Sequence, residues 1–359
     1  MRPPALRAHL RRVATVAAAL AIAGCAVVGP ATLRNGRMAY NEAIIATNNQ
    51  QLLMVAVHNR YEENASLLFV SSVTANVHTT TTAGVQLGYG SKDNYAGNLV
   101  PFGAQVIYEE NPTISYTPVA GAKYLREVMT PIPLATLAQF SSTLIDPAGT
   151  YWSFLSSVNG IHNPDFATAP ADARFARFVD LMTQLGDAGC AHWVEPQPNT
   201  VAIAMEDCAS RDAASVQDLL ALLGIAKVYS PGSRLVLPVS LDAQASAQND
   251  ITVTTRSLIG LVEILTAAIE VPDEDLRSGA AAPSPPAGQI GARLHVVYST
   301  TRPQNAAVAV AYRGGWFYID ERDQPTKRFF RLLTTLWTIA MAENAGSSGA
   351  PVLTVPASR

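Results

Sequence analysis

The sequence predicts an α+β fold with mixed sheets and interleaved helices. Helical and strand periodicities alternate along the 359 residues without the regular repeat of a doubly wound parallel fold. Hydrophobic residues make up 48% of the chain and charged residues 15%, which excludes a disordered chain and favours a large core or a sizeable protein surface for partners. A formal net charge of −3 is too weak for a nucleic-acid partner.

The N-terminus has the layout of an export signal. Arginines come first, followed by an apolar segment at Val13–Leu20 and by the tetrapeptide Ile22-Ala23-Gly24-Cys25. This layout resembles the signal peptide of a bacterial lipoprotein. The resemblance implies cleavage before Cys25, acylation of that residue with diacylglycerol and fatty acid, and, because Ala26 follows, residence at the periplasmic face of the outer membrane. An uncleaved membrane span over Val13–Gly29 and a secretory signal cut elsewhere remain alternatives.

Two cysteines remain after Cys25, namely Cys190 and Cys208. Because the periplasm is oxidising, we expect a disulfide between them, and a loop of this size would stabilise the fold by about 3 kcal/mol. Two separate buried thiols are the alternative. A zinc site would need more ligands than His192 offers nearby, so neither a metal nor another cofactor is expected.

Composition divides the chain into five segments. Residues 278–292 are rich in Ala, Pro, Ser and Gly and contain no aromatic residue, which is typical of a linker or exposed loop. The predicted order is a signal peptide at 1–24, a tether at 25–36, an α+β periplasmic body at 37–277, this linker at 278–292, and a C-terminal α+β module at 293–359 that packs on the body.

The body begins with a helix and continues with strands. Residues 37–60 carry apolar residues at helical spacing without an interrupting Pro or Gly. Residues 65–118 then alternate in polarity, carry few charges and contain a Gly-rich loop, which predicts a long β-hairpin or meander. Its first strand is expected to have one apolar face over its second half, because Val73, Ala75 and Val77 alternate there with Thr74, Asn76 and His78. Strands of a soluble sheet are the main interpretation, and a hairpin contributed to an oligomeric membrane pore is the alternative.

Further elements follow local patterns. Residues 171–185 have one apolar helical face, Tyr151–Val158 is predicted as a strand, and Ser257 is predicted to cap a helix at 258–269. The C-terminal module is predicted as β-β-β-α-β, with its last strand at 351–356.

No known catalytic motif is present. The sequence lacks the nucleophile elbow, the phosphate-binding loop, the dinucleotide fingerprint and the zinc-protease motif, and its six histidines are scattered. The acidic stretch Asp320–Asp323 could hold paired carboxylates, but a strand-to-helix corner is the better interpretation. Residues Thr254–Ser257 could bind an anion at a helix N-terminus, but a structural cap with a surface Arg256 is the better interpretation.

Several segments resemble a family of uncharacterised lipoproteins of Gram-negative bacteria, which has no assigned activity. His58 departs from the pattern, which has arginine there. The matching segments are Tyr40-Asn41-Glu42-Ala43, Gln51-Leu52-Leu53, Asn59-Arg60-Tyr61, Pro112–Pro118, Thr255-Arg256-Ser257-Leu258, Trp316–Asp320 with Asp323, and Pro351–Pro356.

These observations predict an outer-membrane lipoprotein with a structural or assembly role in an envelope complex and without catalysis. The expected partners are the membrane, through the N-terminal lipid, and envelope proteins, with homo-oligomerisation as a further possibility. The alternatives are a lipoprotein that binds a glycan or lipid, and an oligomeric pore subunit that contributes the hairpin at 65–118.

Overall fold

The structure is a computed structural model. It describes residues 38–64, 67–84, 103–119, 122–143, 146–163, 172–198, 200–241, 249–283, 293–345 and 353–356. The chain divides at Leu53 and Met54 into two compact units, and the described part of the first unit belongs to helix α1, residues 38–60. Mixed sheets and interleaved helices make up the second unit and confirm the predicted α+β class.

The remaining helices are α2 Ala122–Met129, α3 Leu134–Thr143, α4 Pro147–Phe154, α5 Ala173–Asp187, α6 Ser210–Leu222, α7 Leu258–Ala267, α8 Asp273–Ser278 and α9 Gln324–Ala345. The strands are β1 Leu67–Gly84, β2 Gly103–Val119, β3 Leu155–Val158, β4 Ile161–His162, β5 Ala191–Val194, β6 Val201–Met205, β7 Leu235–Leu241, β8 Ile251–Thr255, β9 Val297–Ser299, β10 Ala306–Tyr312, β11 Gly315–Asp320 and β12 Leu353–Pro356. They form a six-stranded sheet, β4-β3-β8-β7-β6-β5, and two three-stranded sheets, β1-β2-β12 and β10-β11-β9.

The six-stranded sheet, here called the body sheet, carries the main core. Its neighbouring strands are antiparallel except for the parallel pair β7 and β8. Every residue of β6 is buried, as the continuous apolar sequence VAIAM requires. Helix α3 packs on β5, β6 and β7, while α5 packs on β4 and β5. Both edge strands are short, with two residues in β4 and four in β5.

Aromatic side chains fill the space beside the body sheet. Phe154, Phe175 and Phe178 are fully buried, and the rings of Trp152 and Phe175 lie 5.0 Å apart. Helix α5 directs its apolar stripe into this cluster, which confirms the predicted helix.

The predicted strand Tyr151–Val158 is wrong over its first half. Residues up to Phe154 belong to helix α4, and only Leu155–Val158 form a strand. The helix begins because the Asp146 carboxylate accepts a hydrogen bond from the Gly149 amide at 2.8 Å, and Pro147 occupies the first turn. A short apolar run is compatible with a helix or a strand, and here the N-terminal cap at Asp146 favours the helix.

The C-terminal module has the predicted order of elements, but its last strand joins another sheet. Strands β9, β10 and β11 form one antiparallel sheet, and α9 follows. Strand β12 pairs instead with β2. The turn between β10 and β11 has positive φ at Arg313 (47°) and Gly314 (81°), as a two-residue hairpin turn requires. A side chain on Gly315 would overlap the ring of Tyr298, so glycine is required there.

Part of the predicted linker is structured. Residues 278–283 are described, and the Ala281 amide donates to the Asp275 carbonyl at 3.2 Å. Residues 284–292 lie outside the described residues.

Candidate functional site: the hairpin sheet and its root

The sheet β1-β2-β12, here called the hairpin sheet, is dominated by one long hairpin. Strand β1 has 18 residues and β2 has 17, and they pair antiparallel from Leu67 opposite Val119 to Gly84 opposite Gly103. At about 3.3 Å per residue, such strands extend roughly 60 Å. The predicted hairpin at 65–118 is therefore present, and it is longer than the strands of most globular proteins.

An irregularity in β1 sets the faces of this sheet. The register shifts between Val70 and Ser72, where one extra residue of β1 faces β2. Side chains alternate between faces along a strand, so the shift places Leu68 and Val70 on the same face as Val73. The alternation of the first residues of β1 therefore does not continue in phase past the shift, whereas Val73, Ala75 and Val77 share one face as predicted.

The resulting faces differ in composition. The register places Val73 and Ile114 on one face together with Val355 of β12. Toward the turn, the same face carries mainly apolar residues: Ala75, Val77, Ala83, Ala104, Val106 and Tyr108, with Thr79, Thr81, Glu110 and Pro112. The opposite face carries mainly polar residues: Ser72, Thr74, Asn76, His78, Thr80, Thr82, Gln105, Glu109, Asn111, Thr113 and Ser115, with Ile107.

Among the described residues, β12 pairs with one short stretch of β2. It pairs with Thr113–Tyr116, between Pro112 and Pro118. Proline lacks an amide donor, so neither Pro112 nor Pro118 can donate a backbone hydrogen bond to a neighbouring strand. Residues Thr113–Tyr116 and Leu353–Pro356 thus meet in one sheet although more than 230 residues separate them.

Beyond Thr113 the described part of the hairpin sheet consists of two strands. Ten residue pairs, from Ala75 opposite Pro112 to Gly84 opposite Gly103, form what we call the hairpin tip. Within the described ranges, no third strand pairs with the tip, and β12 is the one element that contacts the hairpin extensively. A two-stranded ribbon of this kind is at best marginally stable alone in water.

A polar and aromatic cluster, here called the root cluster, fixes the chain between α1 and β1. The Tyr61 hydroxyl donates to Asp275 Oδ2 at 2.6 Å, and the Tyr312 hydroxyl donates to Glu63 Oε2 at 2.5 Å. The Arg313 guanidinium lies 5.2 Å above the centre of the Tyr61 ring and 3.6 Å from Glu63 Oε1. Since Glu63 is four residues before β1, these contacts hold the base of the hairpin against α8 and the β10–β11 turn.

Helix α1 contributes two further residues. Arg60 is buried and donates through Nη1 to the carbonyl of Ala282 at 2.6 Å. His58 stacks on Tyr312 with ring centres 4.9 Å apart, and its Nδ1 lies 3.5 Å from Glu63 Oε2. His58 therefore belongs to the root cluster.

Burial changes the pKa values of the root cluster. It raises the pKa of Tyr61 well above the ordinary tyrosine value, and the hydrogen bond to Asp275 adds to the shift. The pKa of Tyr312 is raised by burial first and by its hydrogen bond to Glu63 second. Burial lowers the pKa of the Arg60 guanidinium. Both phenols are therefore neutral donors at neutral pH, which suits fixed structural contacts.

Cys190 and Cys208 form a disulfide, with their Cα atoms 4.7 Å apart. It links the ends of β5 and β6. Beside it Glu206 contacts two side chains, with Oε1 2.8 Å from His192 Nε2 and Oε2 2.9 Å from Arg234 Nε. These three side chains are partly exposed, so the arrangement is typical of a surface ion pair that reinforces an edge.

The stretch before α7 has a structural role. The Ser257 hydroxyl accepts from the Gly260 amide at 3.3 Å and caps the helix, as predicted. Arg256 is only 8% exposed, so the expectation of a surface arginine is wrong. Its backbone extends the sheet beyond β8: the amide donates to the Phe154 carbonyl at 2.7 Å, and the carbonyl accepts from the Ile132 amide at 2.9 Å.

The acidic corner after β11 also has a structural role. Asp323 accepts from the amide and the hydroxyl of Thr326, at 3.1 and 2.6 Å, and so holds the start of α9. Asp320 accepts from the Arg322 amide at 2.7 Å. The two carboxylates therefore serve different backbone contacts and do not form an acid–base pair.

Some predicted features fall elsewhere. The signal peptide, the tether and the lipidation residue Cys25 lie outside the described residues. Of the helices that the structure describes, none has both the length and the apolar character needed to cross a membrane. In the described ranges, no three His, Cys, Asp or Glu side chains are grouped so that they could hold a metal ion.

Sequence reasoning missed the root cluster. Its contacts join residues 214 and 249 positions apart, and the motif Asn59-Arg60-Tyr61 was the local signal within it.

Comparison with protein-family models, with curated proteins and with solved structures finds no match for this chain.

Proposed function

We propose that this chain is a non-catalytic assembly subunit of an envelope complex, anchored by a lipid on Cys25 at the periplasmic face of the outer membrane. The hairpin sheet is the element through which it assembles. The observation that carries the proposal is the hairpin tip, ten residue pairs long, which has no third strand among the described residues.

Strands β1 and β2 lie outside the sheet that carries the main core of the body. The body sheet and its aromatic cluster are closed by their own helices, and β1 and β2 contribute no strand to that sheet. A long ribbon exposes backbone amides and carbonyls along both edges, and such edges invite pairing with another chain. The root cluster fixes where the ribbon leaves the body, as an assembly element requires.

The titratable groups of the root cluster support a structural role. Tyr61, Tyr312 and Arg60 each bond to a fixed protein partner. Their shifted pKa values follow from burial and from these bonds, so no acid–base task is needed to account for them.

One observation favours a second candidate, an oligomeric pore subunit. The tip has ten residues per strand, which matches the 9–11 residues of a transmembrane strand, and it has one mainly apolar and one mainly polar face. On this candidate the apolar face contacts lipid.

Purification tests the assembly function. The full-length lipidated protein, extracted in mild detergent, is analysed by mass spectrometry and by size. The matched variant joins Asn76 to Asn111 through an Asn-Gly turn and lacks the residues between. We expect the natural protein to form a defined complex and the variant to lose it while keeping the thermal unfolding of the body. A natural protein that is a lone monomer would refute the proposal.

Two further measurements address the anchor and the pore. Cys25→Ala is expected to remove the acyl label and the membrane association, and unchanged labelling would contradict the lipid anchor. For the pore, the complex is reconstituted into vesicles that contain a trapped dye. Dye release by the natural complex and none by the shortened variant would support the pore, whereas equal release would count against it.

A further inference from the structure

The hairpin tip has two free edges within the described part of the chain, one on β1 and one on β2. We propose that copies of this chain join head to tail, with the outer edge of β1 in one copy pairing with the outer edge of β2 in the next. This inference rests on the proposed assembly function and adds the identity of the partner, a second copy of the same chain.

The edge of β1 lacks the features that protect natural edges. Proteins block edge pairing with lysine, proline, charges or short strands. Strand β1 runs for 18 residues without Lys, Arg, Asp, Glu or Pro, and its one register shift lies near its base. By contrast, the edge strands of the body sheet have two and four residues. The chain therefore protects one sheet and leaves the other open.

The two free edges are complementary. Strands β1 and β2 run antiparallel and both contribute ten residues to the tip. When β1 of a second copy is placed beside β2, the new pair is again antiparallel and of equal length. Repetition satisfies the backbone hydrogen bonds of every edge, because each copy uses one edge of each kind.

Pairing of like edges, β1 with β1 or β2 with β2, would reverse either the direction or the face of one copy, and head-to-tail pairing reverses neither. A two-fold axis normal to the sheet would place the bodies at opposite ends of the ribbons, although the proposed lipid anchors share one leaflet. A two-fold axis along the strands would place the apolar face of one copy on the polar side of the other. Head-to-tail pairing keeps both the direction and the apolar face the same in all copies.

Charge also favours unlike edges. The tip of β2 carries Glu109 and Glu110, while the tip of β1 carries His78 as its one titratable residue. Pairing β2 with β2 would collect four carboxylates in one short segment of sheet. Pairing β2 with β1 separates the acidic residues of successive copies by an intervening strand.

Cysteine cross-linking tests this arrangement in the full-length lipidated protein. One set of variants carries a cysteine on β1 at Asn76, His78, Thr80 or Thr82, and the other set carries one on β2 at Gln105, Ile107 or Glu109. All seven positions share one face. Differently tagged variants are expressed alone or together and then oxidised. We expect at least one β1–β2 combination to give a dimer with both tags, with none from any variant alone.

The controls separate this inference from the assembly function. The unmodified protein shows whether Cys25 itself forms cross-links. A variant with a cysteine at the exposed body residue Val228 measures cross-linking that results from chance collisions. Dimers from a single β1 or β2 variant would show like-edge pairing and overturn the inference. A complex that contains other envelope proteins without any β1–β2 cross-link would overturn it too, while leaving the assembly function intact. A lone monomer would overturn both.

A pair of proline variants provides a second test. Successive amides of a strand point to opposite sides, so one of Thr80→Pro and Thr81→Pro removes a donor toward β2 and the other removes a donor from the outer edge. We expect the melting temperature of the body to be unchanged in both variants. We expect neither variant to form the oligomer. An oligomer of unchanged size in both variants would overturn the pairing.

Discussion

The body sheet and the hairpin sheet treat their edges in opposite ways. The body sheet ends in strands of two and four residues, and a disulfide ties the longer of them to its neighbour. The hairpin sheet ends in a strand of 18 residues that no described element covers. The difference shows that the chain ends its core-bearing sheet in short strands, whereas the long strand β1 of the hairpin sheet has one edge that pairs with no described strand.

The two sheets also differ in what lies on their strands. Strand β6 is apolar and buried at every residue, because helices and neighbouring strands enclose it. Strand β1 contains a run of four threonines, Thr79–Thr82, in its tip. Threonine favours an extended backbone without requiring burial, so such a strand can persist where no core covers it.

The largest expected effect separates the two regions by stability. Phe154→Ala should lower the free energy of unfolding by about 3–5 kcal/mol, because it leaves a cavity in the aromatic cluster. Thr80→Ala in the hairpin tip should change it by less than about 0.5 kcal/mol. Urea unfolding of both variants measures the difference, and equal losses would break the distinction between the regions.

Removal of the disulfide tests the protected edge of the body sheet. The double variant Cys190→Ala/Cys208→Ala should lose about 3 kcal/mol of stability, because the disulfide no longer closes a loop in the unfolded chain across a sequence separation of 18. Calorimetry of the natural and variant proteins measures this loss. The oligomer should keep its size, and an oligomer lost together with the disulfide would tie assembly to the body edge instead.

A smaller effect is expected where the two regions meet. Tyr61→Phe removes the hydrogen bond to Asp275 and should cost about 2 kcal/mol. Tyr318→Phe on β11 is the matched control and should cost less. Chemical denaturation measures both, and protease cleavage in the hairpin should increase for Tyr61→Phe alone. Equal behaviour of the two variants would show that the root cluster does not hold the hairpin.

The smallest effect is expected in the pH dependence of stability. The pKa values of Tyr61 and Tyr312 are raised in the folded state, mainly by burial. Their contribution to stability is therefore complete below the ordinary tyrosine pKa of about 10 and decreases as pH rises above it. The free energy of unfolding should fall less between pH 8 and pH 11 in the variant Tyr61→Phe/Tyr312→Phe than in the natural protein. A loss at pH 11 as large as in the natural protein would contradict this origin.

Local patterns were good guides to single elements. Helix α5 follows from its apolar stripe, and α7 begins at the serine that caps it. The hairpin follows from alternation in polarity, and the disulfide is predicted from the two cysteines that remain after Cys25 and from the expected export of the chain. The prediction for Tyr151–Val158 failed because a cap at Asp146 outweighs a periodicity that is ambiguous over eight residues.

Within the candidate site, the sequence by itself predicted a pair of long strands with few charges, observed at 67–84 and 103–119, because alternation in polarity acts over short distances. Only the tertiary structure decided which residues share a face, since one extra residue in β1 reverses the alternation near Val70. It also decided that β12 leaves the C-terminal module to join β2, and that Tyr61 meets Asp275 and Tyr312 meets Glu63. These contacts join residues more than 200 positions apart, and the free energy of such contacts depends on how whole elements pack, which local periodicity does not record.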